Sequence, residues 1–206
     1  MNENNPTVET LLQAIPAERE WPRKILIGSL LGFIPVVNLL CLGYLYRYVS
    51  QIRRKQDCKL PEWNNWDRLF INGLKVFVIL LLYGLIPWLL AWALSIILLV
   101  VSFGLLGFIA WTPMALVSLV APALSACALY MFQGSRGDWK VLFEVPAIFQ
   151  LAWRNAAYLI IPTLLLIGFS TLTAPLWGVA FFVGPLVFFG YTSLLLTRRI
   201  QRERAL

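Results

Sequence analysis

VFVILLLYGLIPWLLAWALSIILLVVSFGLLGFIAWTPMALVSLVAPALSACALYMF, Val76 to Phe132, runs for 57 residues without a formal charge. A helix crosses roughly 30 Å of hydrocarbon in about 20 apolar residues, so this stretch holds two crossings and a connection. Ser102-Phe103-Gly104 and Gly107 supply turn chemistry near its middle, which predicts a hairpin of spans at 76–101 and 107–132. Backbone in lipid must satisfy its own hydrogen bonds, which leaves helices or closed barrels. The Leu, Ile, Val and Phe of this run lack the alternation of a barrel strand. The stretch therefore decides for an all-α transmembrane bundle.

Outward from it, Ala156 to Thr197 is a second uncharged block, of 42 residues, broken at Ala174-Pro175-Leu176-Trp177-Gly178 into spans at 156–174 and 177–197. Upstream, Ile25 to Tyr46 is one span's worth, bounded by Arg23, Lys24 and Arg47, and is read as a span at 25–46. The expectation is a polytopic bundle of about five spans over residues 25–199, preceded by an amphipathic segment (1–24) and followed by a basic tail (200–206). Composition agrees. Of 206 residues 60% are hydrophobic and 13% charged, roughly half the charged fraction of a soluble domain. Pro35, Pro87, Pro113, Pro122, Pro162 and Pro185 place a proline in every span and predict a kink in each.

Segment 47–75 carries seven Lys and Arg, and Arg198, Arg199, Arg202 and Arg204 follow the last span, so the positive-inside rule puts both at the cytoplasm. Five spans then leave the N-terminus, with Arg19, Arg23 and Lys24, outside. A second topology keeps both ends inside: Gly32-Phe33-Ile34-Pro35 splits the first run into two half-helices that dip in and return, leaving four full spans. The polar first 24 residues and the long first run do not fit a cleavable signal. Val8, Leu11, Leu12 and Ile15 share one helical face there.

The loop before the second span is patterned. Pro61 with Glu62 opens a helix, and Trp63, Trp66, Phe70 and Leu74 form one stripe opposite Asn64, Asp67, Arg68 and Asn72. This predicts a helix lying in the membrane interface, anchored by Trp63, Trp66 and Phe70, with Lys75 snorkelling. Trp139-Lys140-Val141-Leu142-Phe143 repeats the W-x-x-L-F of residues 66–70, which makes Trp139 a further anchor and offers two readings of the echo, an internal duplication or a chance match. Arg53, Arg54 and Lys55, with Arg198 and Arg199, are placed against anionic lipid rather than nucleic acid.

Gly43-Tyr44, Arg53-Arg54, Leu60-Pro61-Glu62-Trp63, Trp66, Leu69-Phe70 and Gly73-Leu74-Lys75 resemble the uncharacterised prokaryotic membrane proteins grouped as domain of unknown function 4013. The resemblance is specific over residues 25 to about 95, extends over the remainder through hydropathy, a terminal Gly190-Tyr191 and the basic end, and departs at Gln56-Asp57-Cys58-Lys59, where a Gly-Glu type of turn is expected. It implies a multi-spanning integral membrane protein and brings no activity, cofactor or catalytic residue.

Chemistry is sparse. The chain has no His, its three cysteines form no C-x-x-C, and no ionisable residue falls inside the spans of the two uncharged blocks. No catalytic, metal or cofactor residue is assigned, and the expected role is non-enzymatic: a subunit, assembly factor or scaffold that binds lipid and other membrane proteins or its own copies. The alternative is a small oligomeric channel or permease, with Asn38, the most polar side chain of the first run, lining a path or packing between helices.

Overall fold

The structure is a computed structural model that describes residues 19–55, 58–105 and 107–205, side chains at 55 and 203–205 excepted. Most of the N-terminal amphipathic segment and the last tail residue therefore lie outside the described residues, as does the side chain of Lys55. The described residues form helices and turns with no strand, so the all-α bundle holds. The chain divides into two compact units, Met1–Phe77 with Leu164–Leu206, and Val78–Thr163.

In the first unit, α1 (Trp21–Gly32), α2 (Asn38–Lys55) and the start of α3 (Trp66–Leu80) assemble with the end of α7 (Ala156–Leu172) and with α8 (Trp177–Ala205). The single span read at 25–46 is corrected here: residues 33–37 form a turn between two helices. Pro35 has no N–H to continue the ladder, and the helix restarts where the Asn38 amide donates to Ile34 O at 3.0 Å. At 1.5 Å per residue α1 is about 18 Å long, too short for the hydrocarbon layer. α2 carries Arg47, Arg53, Arg54 and Lys55.

Both α1 and α2 pack on α8, whose Leu186, Leu194, Leu195 and Leu196 are fully buried. Glycine makes two crossings possible. A Cβ on Gly43 would overlap the backbone of Leu69, and one on Gly73 would overlap that of Leu39, so α2 and α3 meet backbone to backbone. The same holds between α1 and α8, where a Cβ on Gly32 would lie 2.9 Å from Gly178 O.

In the second unit, a π-helical turn at Leu81–Leu85 leads into α4 (Ile86–Val101), and a 3₁₀ turn at Gly107–Trp111 into α5 (Thr112–Gly134). A further 3₁₀ turn (Trp139–Phe143) and α6 (Val145–Arg154) precede the first half of α7. Asp138 caps the 3₁₀ turn by accepting from the Lys140 amide at 3.0 Å. The π turn has a local cause. Pro87 cannot donate to Tyr83 O and its ring crowds that carbonyl, so the extra residue upstream accommodates the lost bond.

Among the described residues three helices are long and apolar enough to cross a membrane: Trp66–Val101, Gly107–Gly134 and Ala174–Arg202. A fourth is added if α6 and α7, which meet at 89° around Asn155, count as one broken span. The expected five thus becomes three or four. The prolines also differ in effect from expectation: Pro113 sits in the first turn of its helix and Pro35 in a turn, while Pro87 stands just after the π turn inside the continuous helix Trp66–Val101. First-turn N–H groups have no intrahelical acceptor, so proline costs little there. Pro122, Pro162 and Pro185 do stand inside helices.

Candidate functional site

The polar chemistry of the first unit converges on the connector 58–65 between α2 and α3. Tyr44, Arg47, Tyr48 and Gln51 recur at helical spacing and share one face of α2. From that face Tyr48 Oη donates to Cys58 O (3.3 Å), Gln51 Nε2 to Lys59 O (3.0 Å), Tyr44 Oη to Pro61 O (2.8 Å) and an Arg47 guanidinium nitrogen to Glu62 O (2.8 Å). The remaining carbonyl, Leu60 O, accepts from Lys24 Nζ of α1 at 2.9 Å. Five consecutive carbonyls are thus held by five side chains, and the connector runs back antiparallel to α2.

Lys24 is 3% exposed and also meets the Glu62 carboxylate at 2.6 Å. A buried ammonium needs such partners, since an unpaired charge out of water is costly. Trp63 completes the clamp: its indole N–H donates to Lys24 O at 3.0 Å and its ring stacks on Tyr44 at 4.2 Å between centroids. Phe182 of α8 closes the cluster, 5.6 Å from Tyr44 and 5.9 Å from Trp63.

This geometry revises the predicted interfacial helix. α3 begins at Trp66, not at Pro61, because the preceding carbonyls are engaged by side chains and Asn65 takes a positive φ of 54°. Trp63 is consequently a half-buried part of the clamp. Trp66, Phe70 and Leu74 do form an exposed stripe on α3, opposite buried Leu69, Gly73 and Val76. Lys75 lies over the Tyr46 ring at 5.8 Å and donates to Asn72 Oδ1 at 3.4 Å. Trp139 is exposed, with its ring against Phe132. The W-x-x-L-F echo is α-helical at 66–70 and 3₁₀ at 139–143, although both copies bury the Leu and expose the aromatics.

Beside the clamp, α2 and α3 enclose an open cleft of about 470 Å³. Arg47, Gln51 and Arg54 line it from α2, and Arg68 and Asn72 from α3, with Tyr46 and Ser50 completing the wall. The positive charges of Arg54 and Arg53 bear on the Tyr46 hydroxyl. Of the other lipid-contact candidates, Arg53, Arg198 and Arg199 are half-buried. Asn38 is half-buried as the first residue of α2, at the end of a turn rather than in mid-helix. Sequence reasoning put Arg68 and Asn72 on a solvent face and used Arg47 only as a boundary. The available signal was the helical spacing of Arg47, Gln51 and Arg54.

These features define an all-α protein with helices suited to a bilayer. Over residues 27–179 the chain matches the family described as Protein of unknown function (DUF4013), and it belongs to that family. The match extends from within α1 into the start of α8, well past the motif-bearing part around the connector. No curated protein and no solved structure matches the chain.

Proposed function

We propose that the protein is a non-enzymatic, multi-pass membrane protein acting as a subunit, assembly factor or scaffold in a membrane complex. The observation that carries this reading is the helix Trp66–Val101, of whose most apolar stretch only 11% is buried within the chain. Apolar surface on that scale calls for lipid or another apolar surface. Phe103 and Phe108, both more than nine-tenths exposed, extend it into the turn after α4. With α1 and α2 not crossing, four crossings would bring both termini, the connector and the basic tail to the cytoplasmic side, as the distribution of Arg and Lys favours.

Membrane fractionation tests the location, and affinity purification in lipid nanodiscs tests the role. The protein should resist carbonate extraction and retain a stable hetero-complex. Recovery as a detergent-free monomer from the soluble fraction overturns the reading.

The break at 33–37 favours a second reading, a small oligomeric channel, because interrupted helices shape sites in transporters. Solute flux in liposomes that is lost in Asn38→Leu would support it over the scaffold.

A further inference from the structure

We propose that the cleft between α2 and α3 binds a single phosphate-bearing anion, carried either by a lipid headgroup or as a free ion. Three guanidinium groups, Arg47, Arg54 and Arg68, open onto one space, and among the described residues no carboxylate lines it. Like charges gathered without a counter-charge repel one another, and an anion between them reverses the sign of that interaction. Neither Arg54 nor Arg68 donates to a protein acceptor among the described residues, so their planar forks are open to a bidentate oxygen pair.

Arg47 is set in place rather than used up. One of its terminal nitrogens is fixed by Glu62 O at 2.8 Å and Asn64 Oδ1 at 2.6 Å. A guanidinium carries five N–H groups, so its other nitrogens still have protons to offer. Asn72 is oriented in the same way: its Oδ1 takes the Lys75 proton, which leaves the amide nitrogen as a donor. A cleft bearing several N–H donors and three positive charges, that of Arg47 held in place, matches the tetrahedral oxygens of phosphate.

The depth suits a lipid phosphate. Charge on α3 ends at Lys75 and the uncharged run begins at Val76. At 1.5 Å per residue Asn72 lies about 6 Å before that boundary, at headgroup level, and Arg68 about 12 Å, just beyond it. The lipid source rests on the membrane reading above; the free-ion source does not.

The test uses the full chain in neutral maltoside micelles at constant ionic strength. Calorimetric titration with inorganic phosphate probes the free ion. Native mass spectrometry from nanodiscs of phosphatidylcholine with a minority of phosphatidylglycerol probes the headgroup. At least one probe should bind, and Arg54→Ala with Arg68→Ala should weaken it by about tenfold or more, the scale of lost hydrogen bonds to a charged group. Arg68→Lys should recover part of the loss, and Lys140→Ala should bind as the wild type does. Among the described residues neither arginine donates a hydrogen bond to protein, so unchanged melting without ligand confirms that the double variant is folded. Binding of phosphate alone or of phosphatidylglycerol alone identifies the source. The proposal is overturned if neither probe binds the wild type, or if the double variant binds as well as the wild type. A soluble, detergent-free protein that still binds phosphate would refute the membrane reading and leave this one standing.

Discussion

In the first unit, 72% of the most apolar stretch of the helix Ala174–Arg202 is buried, whereas the helix that leads into the second unit, Trp66–Val101, buries 11% of its own. The first unit adds a polar skeleton to that burial: Lys24, Tyr44, Arg47, Tyr48 and Gln51 all donate to the connector. In the second, Tyr83 Oη reaches Leu142 O at 2.5 Å, while Ser125 and Thr163 return their hydroxyls to their own helices. Similar apolar composition thus serves two ends. Most of α8 is sealed by contacts within the chain, whereas α4 presents Leu, Ile and Trp to whatever surrounds it. The lesson is that hydropathy identifies helices able to enter lipid but does not say which of them keep an apolar face uncovered.

Four substitutions and one control, Gly168→Val, sharpen or break this contrast. The largest effect is expected from Gly43→Val, whose side chain must enter the space of the Leu69 backbone. A struck backbone cannot rotate away, so the loss should exceed about 3 kcal/mol and appear as aggregation in size-exclusion profiles. Gly168→Val, with nothing within 4 Å of its Cβ, should purify normally. Leu90→Arg comes next. Leu90 is 66% exposed, so in water the change would be nearly neutral, whereas in lipid an arginine at mid-helix costs about 3 kcal/mol. Reduced membrane accumulation is expected, and wild-type accumulation would break the lipid assignment of that face.

Lys24→Met leaves Leu60 O without its donor and Glu62 without its partner. Glu62 is largely exposed, so the loss is dominated by the buried hydrogen bond, at about 2 kcal/mol by thermal unfolding in detergent. The smallest effect is expected from Ser95→Ala. The Ser95 hydroxyl is buried with no hydrogen-bond partner among the described residues, so its removal should leave the melting temperature unchanged or raise stability by up to about 1 kcal/mol.

Much of the architecture was readable from the sequence. The uncharged blocks marked the apolar helices, and the turn residues at 102–104 and 174–178 fall close to where α4 and α7 end. The break after Gly32 was present as a local signal, but a run of suitable length and polarity also fits an unbroken helix, and local pattern does not arbitrate. The clamp was hidden for a different reason. Lys24 meets a carbonyl 36 residues away and Trp63 one 39 residues away, and no periodicity encodes such pairs. Trp63 falls at helical spacing from Trp66 and Phe70, yet it lies before the helix begins. The cleft depends on α2 and α3 crossing at Gly43 and Gly73, so Arg68 and Asn72 gained a facing wall that a single-helix projection omits.

The connector carbonyls from Cys58 to Glu62 carry one further consequence. Surface loops ordinarily tolerate insertion or deletion, because closing a slightly longer loop costs little. Here each successive oxygen answers to a different fixed donor, so adding or removing one residue would put all five out of step together. A stretch without helix or strand is therefore as intolerant of a change in length as the teeth of a gear are of a change in pitch.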